Sequence, residues 1–152
     1  MTRNKSAYYD TNYWFEMYDK YNIEYFLKDY LEKTGAEWVY LQGETYGDGV
    51  QKRTYSLKGK RDFAAFNLCT SLRPRHTYLE TSDILQEYGI PTVPIIHPHM
   101  ILPDTVDELM ELAGGASRID GLPREGLVFR RVGNTSESFK AVDPAFLLMY
   151  HG

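Results

Sequence analysis

The 152-residue sequence predicts an α+β fold, a largely antiparallel sheet with inserted helices. Three observations predict it. Apolar residues recur at helical spacing through the first quarter of the chain. Short runs of aromatic and branched residues follow, bounded by glycine and proline. Helical and strand-like segments then succeed one another without a regular βαβ alternation. No internal repeat, low-complexity tract or linker divides the sequence, so a single domain over residues 1–152 is expected.

Taken in order, Asp10-Thr11-Asn12 signals a helix start, and Tyr13 to Lys20 places Trp14, Met17, Tyr18 and the following Tyr21 on one side. Asn22 can cap a second helix, in which Ile23, Phe26, Leu27, Tyr30 and Leu31 share a face until Gly35 stops it. Glu24, Lys28, Asp29 and Glu32 fall opposite. Glu37 to Gln42 has strand chemistry, and Gly43, Gly47 and Gly49 break it into a turn. Arg61 to Leu68 reads as a strand, Asp83 to Tyr88 as a short helix ended by Gly89, and Thr92 to Ile96 as a strand between prolines. Asp104 caps a helix through Leu112, closed by Gly114-Gly115. Gly126 to Arg131 and Ser138 to Val142 form two strands, antiparallel across Gly133-Asn134-Thr135.

Apolar residues make up 43% of the chain and aromatics 14%, enough to fill a core and to exclude global disorder. Thirteen Tyr and seven Phe suit sheet packing or stacking on bases. The net charge of −4 does not advertise a nucleic-acid binder. Its distribution is uneven: between Val50 and His76 stand Lys52, Arg53, Lys58, Lys60, Arg61, Arg73 and Arg75 against the single acid Asp62. Such a stretch is either a solvated loop or a surface that tracks phosphates. Cys69 is alone, so no disulfide or cysteine zinc site can form within one chain. With no apolar leader and no run near the roughly 20 residues needed to span a bilayer, a soluble cytoplasmic protein without membrane contact is expected.

Three segments are candidates for chemistry. In Leu41 to Gln51 a carboxylate, Glu44, follows a strand and is surrounded by glycines, which let a backbone approach a ligand. A ligand-holding acid and a solvated turn would look alike here. In Arg124 to Arg130, Glu125 opens an apolar strand bracketed by arginines, a place for metal or ligand work or for a strand-end ion pair. Glu137 to Val142 carries Lys140; if its strand pairs with the previous one, Lys140 and Glu125 can face one pocket, although a lysine alternating with apolar residues also suits solvent. His97-Pro98-His99 reads as a loop sooner than as a metal pair.

In this order the segments resemble the ATP-dependent RNA ligases, within the covalent nucleotidyltransferases that also hold DNA ligases and mRNA capping enzymes. The resemblance starts at Arg3-Asn4, takes in Asn12-Tyr13-Trp14, Lys20 to Glu24, Leu41 to Gln51, Phe66-Asn67-Leu68, Gly89 to Pro94 and Arg124 to Arg130, and ends on Ser138 to Ala141 with Phe146-Leu147-Leu148. It implies the nucleotidyltransferase core of a ligase adenylation domain, with an ATP-grasp-like sheet lacking its N-terminal strands. It further implies ATP or AMP with Mg2+ or Mn2+ as cofactors and RNA ends, nicked duplexes among them, as substrates. By the same resemblance Glu44 contacts the ribose, Phe66 stacks on adenine and Glu125 serves the metal. Lys140 contacts the ATP phosphates, and Arg3 positions nucleotide or RNA.

Such enzymes attach AMP to a lysine of a Lys-x-Asp-Gly or Lys-x-Glu-Gly element, then move it to an RNA 5′-phosphate, from which a 3′-hydroxyl displaces it. No such element occurs in the sequence. Lys60-Arg61-Asp62 lacks the glycine, and Arg118-Ile119-Asp120-Gly121 offers a guanidinium that stays protonated and cannot attack phosphorus. The expectation is a domain incomplete at its N-terminus, completed by an upstream segment or by a homodimer partner that covers an exposed strand edge. A non-catalytic module that binds nucleotide or RNA ends remains the alternative.

Overall fold

The computed structural model describes residues 13–47 and 59–150, in the order α1 (Tyr13–Lys20), α2 (Ile23–Thr34), β1 (Val39–Gly47), β2 (Arg61–Thr70), α3 (Tyr78–Glu87), α4 (Val106–Ala113), β3 (Gly126–Arg131), β4 (Asn134–Val142) and α5 (Pro144–Tyr150). The chain divides into two compact units, one running to Val93 and the other from Pro94. None of the described helices is long and apolar enough to cross a membrane.

In the first unit α1 and α2 lie where the periodicity puts them. The cap between them differs from the expectation: Asn22 adopts a left-handed conformation (φ 49°) and its side chain makes no capping bond. Asparagine tolerates that region, so its work is to turn the chain. Gly35 (φ 70°) closes α2, its N–H donating to Leu31 O at 3.0 Å. Strands β1 and β2 pair antiparallel from Val39 opposite Thr70 to Gly47 opposite Arg61. The core combines Met17, Ile23 and Phe26 from the helical segment with Phe63, Ala65 and Leu68 of β2 and Leu85 and Ile90 beyond.

Expected boundaries move at several places. First, β1 continues through Gly43 to Gly47 instead of breaking there. A Cβ on Gly43 would lie 2.2 Å from the Phe63 ring and 2.7 Å from Ala64 O, so this glycine admits a ring against a strand and makes no turn. Second, α3 begins at Tyr78, five residues before the expected Asp83, because Thr77 caps it by accepting from the Glu80 N–H at 3.2 Å. Third, among the described residues Thr92 makes a single parallel bridge, to Ala65, and no strand runs to Ile96. Pro91 and Pro94 flank it and have no N–H to extend a ladder. Fourth, Thr105, not Asp104, caps α4.

The second unit is built on the β3–β4 hairpin, whose two-residue turn is Val132-Gly133, with Gly133 at φ 88°. β4 starts at Asn134, four residues earlier than expected. Helix α5 follows, with Pro144 in its first turn and Asp143 Oδ1 accepting from the Ala145 N–H at 3.1 Å. Ala113, Ala141 and Phe146 are its buried apolar side chains among the described residues.

Candidate functional site

The β1–β2 sheet of the first unit has two different faces. Leu41 packs against the core, and strand alternation therefore sends Gln42 and Glu44 to the other face. Glu44 is exposed, opposite Ala64. Register then slips by one: Gln42 pairs with Asn67 but Gly43 with Ala65, which leaves Phe66 as the extra residue of a β-bulge. Phe66 is half-buried and is not one of the core cluster. Beside it the Asn67 Nδ2 donates to Gln42 Oε1 at 2.7 Å, a side-chain contact that the sequence did not announce. Glu44 and Phe66 thus belong to neighbouring registers of one sheet.

Asp62, the acid of the lysine-arginine-aspartate near miss, has a structural role. It accepts from the Tyr21 hydroxyl and from the Phe63 N–H at 2.8 Å, with Lys20 at 3.7 Å. Burial first, and then this hydrogen bond, push the Tyr21 phenol well above its ordinary range. Elsewhere on the first unit, Asn22, Tyr25, Asp29, Lys33, Glu87 and Tyr88 line an open recess of about 420 Å³, with no predicted site residue among them. There the Tyr88 hydroxyl, at 2.7 Å, and the Lys33 ammonium, at 2.9 Å, hold the Asp29 carboxyl below the usual range.

In the second unit the expected meeting of Glu125 and Lys140 occurs. Lys140, opposite Val128 in the hairpin, places Nζ 2.8 Å from Glu125 Oε1, and both side chains keep solvent access. Glu125 sits one residue before β3, and its carbonyl accepts from the Asp143 N–H at 2.7 Å, which extends the ladder past Val142. Gly126 is required for that approach: a Cβ there would stand 2.0 Å from Ala141 O. The bracketing Arg124 does not address the carboxylate. Its guanidinium donates to Leu112 O (2.6 Å), Ala113 O (3.0 Å) and Ala116 O (3.4 Å), the unsatisfied carbonyls at and just beyond the end of α4. Arg118 of the second near miss likewise donates to Ile95 O at 2.9 Å.

Arg3 and three of the seven bases of the basic stretch, Lys52, Arg53 and Lys58, lie outside the described residues, as do Asp10-Thr11-Asn12 and Gly49. His97 and His99 are exposed, and among the described residues no group of three or more His, Cys, Asp or Glu side chains could hold a metal ion. Glu125 can therefore supply one oxygen ligand, with its second oxygen outside the Lys140 bond. That donor set does not fit an all-protein cage. It does fit an ion that keeps its waters and arrives with phosphate oxygens.

A family model described as RNA ligase matches residues 1–142. Among solved structures, Naegleria gruberi RNA ligase is similar. A mutant with ATP and Mn gives a TM-score of 0.77 at 26% identity, covering 96% of this chain and 42% of that one. The ligase with PPi gives 0.77 at 25%, covering 97% and 42%, and another mutant, with AMP and Mn, 0.76 at 26%, covering 96% and 42%. The chain spans about two fifths of the length of that ligase. No curated protein matches it.

Proposed function

This chain belongs to the RNA ligase family, and we propose that it forms the nucleotidyltransferase part of an ATP-dependent RNA ligase, joining RNA 5′-phosphate and 3′-hydroxyl ends by AMP transfer. The observation that carries the reading is the contact between Lys140 and Glu125. Lysine is a compact cation suited to phosphate oxygens, and a carboxylate one hydrogen bond away is suited to the divalent ion that accompanies them. A half-exposed ion pair is worth about 0–1 kcal/mol, so a triphosphate can draw Lys140 from Glu125 at small cost. Glu125 is then the residue that would hold Mg2+ or Mn2+. Such an ion, when bound, neutralises charge on the phosphate oxygens.

The other roles follow the family pattern. Glu44 accepts from the ribose hydroxyls, Phe66 offers its ring to adenine, and Arg3 helps to position nucleotide or RNA. The sequence contains no Lys-x-Asp-Gly or Lys-x-Glu-Gly, so the AMP-carrying lysine would come from an upstream segment or a partner chain. The proposed cofactors are ATP or AMP with Mg2+ or Mn2+, and the proposed setting is the cytoplasm.

Titration of a fluorescent ATP analogue in MnCl2 tests the assignment. Glu125→Gln and Lys140→Met are each expected to weaken binding about tenfold or more, the loss of a charge-assisted hydrogen bond; unchanged affinity in both variants would sink it. The missing lysine element favours a second reading, a module that binds nucleotide or RNA ends without chemistry. Labelled ATP is expected to leave no covalent adduct under either reading. Sealing of pre-adenylylated RNA separates them: it is expected of the ligase and not of the module.

A further inference from the structure

The least expected side chain of the second unit is Arg124, and we infer that it is a positioning residue for Glu125, acting through the end of α4. The inference rests on the reading of Glu125 given above. Helix α4 ends at Ala113, and its last carbonyls have no intrahelical donors. The Arg124 fork supplies them, Nη2 to Leu112 O at 2.6 Å and Nε to Ala113 O at 3.0 Å, while its own backbone N–H donates to Gly115 O at 2.9 Å. Gly115 (φ 112°) lies under the guanidinium, where an added Cβ would be 3.6 Å from Cζ.

Arg124 is thereby fixed at both its backbone and its side chain to one helix end. Glu125 is the next residue, and its carbonyl is taken by the Asp143 N–H at 2.7 Å. The carboxylate leaves a backbone clamped from α4 on one side and from the hairpin on the other. Loss of the fork would free one clamp and let the carboxylate swing away from Lys140. Groups that hold a metal-binding residue without touching the metal commonly alter affinity about 10–100-fold. Arginine does this better than lysine, because a planar fork reaches several carbonyls at fixed angles and an ammonium does not.

A double-mutant cycle tests the role. The Mn2+ concentration that half-saturates ATP-analogue binding is measured for the intact chain, Arg124→Gln, Glu125→Gln and the double variant. Arg124→Gln is expected to raise it about tenfold, and to add less than about twofold in the Glu125→Gln background, the non-additivity of residues that act as a unit. Multiplicative effects would mean that Arg124 acts elsewhere, and the positioning role would fall. A Mn2+ dependence untouched by Glu125→Gln would remove the metal role of Glu125 and the positioning role with it.

A readout without metal or nucleotide runs in parallel. Hydrogen exchange at the Asp143 N–H is expected to quicken in Arg124→Gln and to stay unchanged in Glu125→Gln; equal protection in both overturns the clamp. Arg118→Gln, which removes another guanidinium–carbonyl contact of the same unit, should lower Tm without moving the Mn2+ midpoint. Should Arg124→Gln fail to fold, Arg124→Lys carries the same cycle with a smaller shift.

Discussion

The sheet that carries Glu44 and Phe66 and the hairpin that carries Glu125 and Lys140 are stabilised by different means. The sheet has a core behind it: Met17, Phe26, Leu68 and Leu85 are almost wholly removed from solvent, and the candidate residues stand on the opposite face. The hairpin has few buried apolar side chains. Polar contacts to the backbone hold it, through Arg124, Asp143 and the close approach at Gly126. A residue on the back of a packed sheet can change chemistry without much cost in stability. A residue at the mouth of the hairpin shares its geometry with the groups that hold the strand.

The largest test of that contrast is Phe26→Ala, which is expected to cost about 3–5 kcal/mol as a cavity opens in the core. Urea unfolding followed by tryptophan fluorescence measures it, since Trp14 and Trp38 both belong to the first unit. A cost under about 1 kcal/mol would contradict a core-supported sheet. Next comes Gly126→Ala. Its new methyl meets backbone, which cannot rotate away, and a loss of about 2–3 kcal/mol is expected by circular dichroism. An equal shift in the tryptophan transition would show that the two regions do not respond separately.

Thr45→Val should go the other way. The Thr45 hydroxyl is buried and without a hydrogen-bond partner among the described residues, so an isosteric methyl is expected to stabilise by about 1 kcal/mol. A destabilised variant would reveal a donor or acceptor facing it. The smallest effect concerns pH. Asp29, held below the ordinary carboxylate range by Tyr88 and then Lys33, adds stability above that range and loses it as pH falls through its own lowered value. The intact chain and Asp29→Asn are therefore expected to differ at pH 7, with the gap narrowing progressively as pH falls below the ordinary carboxylate range; a gap that does not change with pH would rule this out.

Much of this was legible beforehand. Helix α1 and strand β3 lie at the expected residues, because amphipathic spacing and an apolar run beside a turn signal act locally. The contact between Glu125 and Lys140 was legible too, once two strands were joined by a short turn. What escaped depends on partners distant in sequence or on signals given too little weight. The threonine–glutamate pair at Thr77 and Glu80 announces α3 five residues before the expected start at Asp83. Asp143-Pro144 announces α5 in the same way. Gly43 looked like a turn because the ring it accommodates comes 20 residues later. Arg124 beside Glu125 suggested a charge pair, whereas its acceptors are backbone carbonyls, which leave no mark in a sequence.

The irregularity at Phe66 has a bearing on how this strand tolerates insertion and loss. Phe63 and Ala65 face the core at odd positions, and Leu68 and Thr70 are buried at even ones, so the surplus residue switches the parity of the strand. Deleting Phe66 would restore an unbroken alternation with Phe63, Ala65, Leu68 and Thr70 on one face. Length change usually ruins a strand; here a shortened chain is expected to fold with a straighter ladder and to lose the ring, which makes the bulge a device kept for that side chain and not for the sheet.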